Sequence, residues 1–176
     1  SDVGIVMMGY IANLYKYPIT EFVNDINKSG ADACLVVDAP HELKEENILR
    51  EELNKNDLVL IKLIAPTTTG KRREEIAKLA RGFIYGVNVK GITGVKDANS
   101  INVSKMYKDI KKLTKVPICS GFGIKTPLDA KKIASTGVEG VIVGSTFVDY
   151  IEKNINDTNL SKNLGIKIKE FTNKLN

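Results

Sequence analysis

The chain has 176 residues, 43% of them hydrophobic and 27% charged, which suffices for one domain with its own core and matches the balance of an ordinary globular protein. Its net charge of +5 comes from lysines dispersed among acids, as in Lys71-Arg72-Arg73-Glu74-Glu75, without the basic stripe and interleaved aromatics of a nucleic-acid binder. No apolar run approaches the roughly 20 residues of a membrane helix, and one histidine with two distant cysteines argues against a zinc site.

Residues 3–8 are an apolar run that predicts a strand buried on both faces. Residues 9–17 read as a polar and aromatic loop. Pro18 then opens a helix on which Ile19, Phe22, Val23 and Ile26 share a face, and Ser29-Gly30 closes it. Residues 33–37 are the next strand, ending in Asp38-Ala39-Pro40, and residues 41–53 form a helix rich in Glu and Lys. A strand over 58–64 leads into the loop Ala65-Pro66-Thr67-Thr68-Thr69-Gly70 and a short helix over 71–80. Residues 82–89 are strand, 90–94 loop, and 102–113 a helix with Val103, Met106, Ile110 and Leu113 on one face. A strand over 116–119 then enters a Gly121-Phe122-Gly123 turn, with a helix from Thr126 carrying Pro127 in its first turn. The run from Val138 repeats that grammar: apolar residues, Gly144, Ser145, helix. Residues 159–175 carry Leu160, Leu164, Ile168, Phe171 and Leu175 at helical spacing and read as a terminal helix packed on the outside.

This is a βα alternation of about six units in one domain spanning 1–176, which means a parallel sheet with helical cover. An open doubly wound sheet takes about six strands naturally, whereas a (β/α) barrel of the TIM type takes eight. The glycine turns pull toward the barrel, because they follow the last strands, where barrels often keep a phosphate site. Two neighbouring strand–Gly–helix turns, with Gly121, Gly123 and Gly144 letting backbone N–H groups approach and a helix start beyond each, make a cradle for a phosphate. The bland alternative is that the glycines only make tight turns and Ser145 caps a helix. Cys34 and Cys119 sit in apolar runs and read as reduced, buried thiols, and no basic leader opens the chain, so a cytoplasmic location is expected.

Gly91-Ile92-Thr93-Gly94, Gly121-Phe122-Gly123-Ile124, Gly144-Ser145, Ala65-Pro66-Thr67-Thr68, Tyr85, Asp38-Ala39-Pro40 and the 9–13 loop together resemble the tryptophan synthase alpha subunit family in an archaeal-looking version. The resemblance implies a (β/α) barrel, here incomplete, that cleaves indole-3-glycerol phosphate to indole and glyceraldehyde 3-phosphate. It assigns substrate contacts to Tyr85, Thr93, Gly94, Phe122, Gly123, Ile124, Gly144 and Ser145, needs no cofactor or metal, and names the beta subunit as partner through the loop around Asn13, where Tyr15 and Tyr17 suit an interface. The first strand here matches the family's third. The family's catalytic Glu and Asp belong to the two units without counterpart, so no catalytic carboxylate is assigned; Asp38 at a strand end is a weak candidate beside its reading as a cap, and His41 reads as a first-turn helix residue. A fragment of a longer product, with little lyase activity alone, is the expectation, and the strand edges over 3–8 and 140–143 would be unprotected. A non-catalytic phosphate-binding or beta-subunit-docking module, or another phosphate-binding barrel isomerase of amino-acid biosynthesis, remain the alternatives.

Overall fold

The computed structural model describes residues 3–40, 42–87, 98–121 and 123–175, and of residues 98–102 the backbone alone. Strands β1 (Val6–Gly9), β2 (Ala33–Val36), β3 (Val59–Leu60), β4 (Lys62–Ile64), β5 (Ile84–Val87), β6 (Ile118–Gly121) and β7 (Gly140–Val141) alternate with helices. The helices are α1 (Ile11–Leu14), α2 (Ile19–Ser29), α3 (Lys44–Lys55), α4 (Gly70–Leu79), α5 (Ala98–Leu113), α6 (Pro127–Ala134), α7 (Ser145–Lys153) and α8 (Leu160–Leu175). All paired strands run parallel, in the orders β1-β2-β3 and β4-β5-β6-β7.

The strand read over 58–64 is divided at Ile61. Its first half pairs with β2 and its second with β5, while the Ile61 N–H donates to the Cys34 carbonyl at 2.8 Å. The two short ladders are thus consecutive parts of one arc, in which a single strand changes partner along its length.

Side-chain alternation decides between the two candidate architectures. Cys34 and Val36 pack with Val23, Ile26, Leu49 and Leu53 of α2 and α3, whereas Ala33 and Leu35 pack with Val6, Leu63 and Tyr85 of strands and with Ile61 between β3 and β4. Ile64, Ile84 and Ile118 meet α4 and α5 through Ile76, Met106, Tyr107 and Ile110. Helices therefore cover one face, and strand side chains cover each other on the inner one. A doubly wound sheet carries helices on both faces; a barrel wall carries them outside only.

Local chemistry explains the element ends. Gly30 closes α2 with φ +76°, the left-handed conformation that favours glycine. Thr126 and Asp129 form a reciprocal capping box at α6: the Thr126 hydroxyl accepts from Asp129 N at 3.2 Å and the Asp129 carboxylate accepts from Thr126 N at 3.0 Å. At α5, Tyr107 is fully buried and donates to the Ser120 hydroxyl at 2.6 Å, which in turn donates to the Gly86 carbonyl at 3.0 Å. A Cβ on Gly86 would lie 2.5 Å from the Tyr107 hydroxyl, so glycine there is what lets the ring reach the sheet.

Several sequence expectations need correction. The 9–17 stretch is not all loop: α1 forms there, its first N–H held by the Asp38 carboxylate at 2.6 Å. Helix α3 begins at Lys44, three residues late, and His41 lies outside the described residues. Leu113 is 43% exposed and does not join the buried face of α5. On α8 only Phe171 is buried, against Phe147 at a ring separation of 5.2 Å, while Ile168 and Leu175 face outward. Tyr17 is half-buried against Phe22 and hydrogen-bonded to Asp25, so it covers α2. Both cysteines are free thiols; Cys34 is buried as expected, whereas Cys119 is only half-buried. The outer edge strands are open: Met7 and Met8 on β1 are 45% and 63% exposed, and among the described residues β1 and β7 each pair with one neighbour.

Candidate functional site

At the carboxyl end of β6 the chain turns through Gly121 and Gly123. A Cβ on Gly121 would lie 2.3 Å from the Ile142 carbonyl oxygen, so the absence of a side chain lets the exit of β7 press against β6. The Ile142 N–H donates to the Ser120 carbonyl at 2.9 Å and locks that approach. Gly123 has φ +67°, and the space where its Cβ would be is open. Gly144, ahead of α7, is likewise exposed over open space, and Ser145 is the exposed first residue of that helix.

One hydrogen bond joins these turns. The Thr146 hydroxyl donates to the Ile124 carbonyl at 2.5 Å, fastening the α7 start to the turn that follows β6. The first N–H groups of a helix have no partner within it and carry the positive end of its dipole. Gly123 and the Gly144-Ser145 pair thus share one neighbourhood at the strand ends. Its open spaces and main-chain donors suit an anion.

The other candidates fall as follows. Ile124 has its side chain in the core with Ala130, Ile133 and Phe171, so any ligand contact is through its main chain. Tyr85 is half-buried on the inner face, its hydroxyl donating to the Gly121 carbonyl at 3.4 Å, and burial holds its pKa above the ordinary value. Its ring stands in the same inner wall as Leu35, Ile61 and Leu63. Thr93, Gly94 and Phe122 lie outside the described residues. The Asp38 carboxylate accepts from Ile11 N and so caps α1, which is the reading against a catalytic role. Asn13 turns its side chain back to accept from Tyr10 N at 3.3 Å, while Tyr15 stays 63% exposed.

Two features escaped the sequence reading. Thr146 carried no signal, because a threonine in a helix's first turn reads as a cap. Lys62 did carry one: it is the only charge between Leu58 and Ala65, and it forms a buried ion pair with Glu46 of α3. No group of three His, Cys, Asp or Glu placed to hold a metal occurs among the described residues. No described helix is long and apolar enough to cross a membrane.

A sequence profile described as "Tryptophan synthase alpha chain" matches residues 1–175. The chain belongs to the tryptophan synthase alpha chain family. A tryptophan synthase alpha chain of Desulfatibacillum aliphaticivorans is 36% identical over 175 residues, which are 99% of this chain and 63% of that protein. The crystal structure of tryptophan synthase subunit alpha from Legionella pneumophila superposes with a TM-score of 0.82 at 26% identity, over 99% of this chain and 63% of that one. A crystal structure of the tryptophan synthase complex from Pyrococcus furiosus matches with a TM-score of 0.77 at 25% identity, over 98% of this chain and 67% of that one. The chain therefore spans somewhat less than two thirds of the first two of these alpha chains. The likeness fixes the fold as that of an alpha-chain barrel, in agreement with the one-sided helix cover.

Proposed function

We propose that this chain carries the phosphate half of a site that cleaves indole-3-glycerol phosphate to indole and glyceraldehyde 3-phosphate in tryptophan biosynthesis. The observation that carries the proposal is the Thr146–Ile124 hydrogen bond, which sets two main-chain donor turns side by side. In this reading Gly123, Gly144 and Ser145 hold the phosphate through N–H groups, with Gly94 completing the cradle. Tyr85 flanks the indole from the inner wall, and Thr93, Phe122 and the Ile124 main chain shape the remainder.

Phosphate contacts hold the ester equally in ground and transition states, which lowers KM without raising kcat. The retro-aldol step must protonate the indole ring carbon and remove a proton from the side-chain hydroxyl. A positioned carboxylate contributes about 10²–10⁴-fold in each such role. Asp38 has its Oδ1 taken by Ile11 N as the cap of α1, which weighs against that work. The chain by itself therefore binds the ester and releases little indole.

The partner in this reading is a tryptophan synthase beta subunit, met through the loop around Asn13 and the exposed Tyr15, and the location is the cytoplasm. The engaged state of Asp38 also supports a second reading, a non-catalytic phosphate-binding module that acts on a beta subunit. Calorimetric titration with indole-3-glycerol phosphate, followed by assay of indole release with and without a beta subunit, tests both. Binding with slow release supports the first reading. Binding that raises beta-subunit turnover without any release favours the second, and absence of binding removes both.

A further inference from the structure

A second chemistry-bearing place lies away from the glycine turns. A cavity of about 310 Å³ sits between the loops that follow β2 and β4. It is lined by Asp38 and Pro40 on one side, Thr68 and Arg72 on the other, and Glu46 with Lys62 below. Lys62 projects from β4 on the helix-covered face and is 4% exposed. Its ammonium group is hydrogen-bonded to Glu46 Oε1. Glu46, itself 2% exposed, has its second oxygen Oε2 buried without a hydrogen-bond partner, with Arg50 Nε no nearer than 4.0 Å. Arg72, half-buried on the cavity wall, is paired with Glu42 at 3.3 Å.

A buried ion pair with one unsatisfied carboxylate oxygen is a poor stabilising device. Hydrophobic residues of similar volume often serve as well or better. Chemically, however, an amine beside a carboxylate with a free lone pair, both lining a cavity, has the parts of an imine-forming site: a nucleophile and a proton carrier within one hydrogen bond.

We propose that Lys62 is a nucleophilic amine that condenses with small aliphatic aldehydes entering this cavity, with Glu46 carrying the protons. The ammonium first gives a proton to Glu46, leaving a neutral amine. Its lone pair forms the N–C bond as the carbonyl π bond breaks, and the amine proton passes to the oxygen to give a carbinolamine. Glu46 then returns its proton to that hydroxyl, the C–O bond breaks and water leaves. The product is a protonated imine facing the Glu46 carboxylate, so the net change is loss of one water with charge conserved. The site is independent of the phosphate cradle, and its test does not depend on lyase activity.

Burial supports the assignment by lowering the Lys62 pKa to about 8.

The test is reductive trapping on the intact chain. The protein is incubated with glyceraldehyde and cyanoborohydride at pH 7.5, digested, and the adduct on each lysine followed with time by mass spectrometry. The expected result is that Lys62 gains the reduced triose about tenfold faster than the exposed Lys71 and Lys115, and that this preference disappears in denaturant. Glu46→Gln, checked for folding by circular dichroism, is expected to slow Lys62 labelling about tenfold and leave Lys71 unchanged. Lys62 labelling no faster than Lys71 in the native protein overturns the proposal. Unchanged labelling in a folded Glu46→Gln variant overturns the role given to Glu46.

Discussion

Thr146 is the residue on which the candidate site turns. Its hydroxyl makes a 2.5 Å bond that neither glycine motif announces, and replacing it with valine removes the bond while keeping the side-chain shape. The net worth of such a bond is about 1 kcal/mol, so Thr146→Val is expected to weaken phosphate binding about fivefold, with Thr146→Ser close to wild type. Calorimetry against glycerol phosphate checks both. Gly121 is a stricter position, since any Cβ meets the Ile142 carbonyl, a backbone atom with no rotamer to escape into. Gly121→Ala is expected to cost at least about 1–3 kcal/mol, as overpacking does, read as a lower midpoint in urea. Cys34 offers a test by pH. Burial raises its thiol pKa to about 11 from 9.0, so the native state keeps a proton that the unfolded chain sheds. That contribution is full below pH 9 and is lost as pH rises toward 11. Lys62 acts with the opposite sign above pH 8, which is why the comparison is with Cys34→Ala, where the Lys62 contribution persists. The wild type is expected to lose more stability than the variant between pH 9 and 11 in parallel urea titrations.

At the scale of elements, the sequence was readable wherever a local rule sets the outcome. Helix α6 begins at Pro127 because Thr126 and Asp129 cap it, and α2 ends at Gly30 because the chain there turns left-handed. It was less readable where a distant partner decides. Helix α1 depends on a carboxylate 27 positions along the chain, and the interruption at Ile61 depends on which neighbour each half of the strand meets. The candidate site divides in the same way. Gly123 and Gly144 stand out in the sequence as strand-to-helix turns, whereas their union through Thr146 is a long-range fact. The face of α3 turned to the sheet rests on Leu49 and Leu53, both fully buried. Leu49→Ala is expected to destabilise by about 2–5 kcal/mol, measured by chemical denaturation.

For the molecule as a whole, the arc of parallel strands ends in two unpaired edges. Ile5 just ahead of β1 and Met7 and Met8 on it are exposed, and beyond β7 the α7 residue Val148 is 61% exposed. An exposed apolar edge of this kind is a template for pairing with another chain. The isolated 176-residue chain is expected to associate with rising concentration in sedimentation experiments, and Met8→Lys is expected to reduce that association. No change between the two proteins would place the contact elsewhere. At the carboxyl ends of β6 and β7, two turns are proposed to meet around one anion. Titrating the isotope-labelled chain with glycerol phosphate while following backbone amide resonances tests it most directly. Saturable shifts concentrated at Gly123, Ile124, Gly144 and Ser145 are expected; an unresponsive set at these four residues, or shifts confined to one turn, would contradict it.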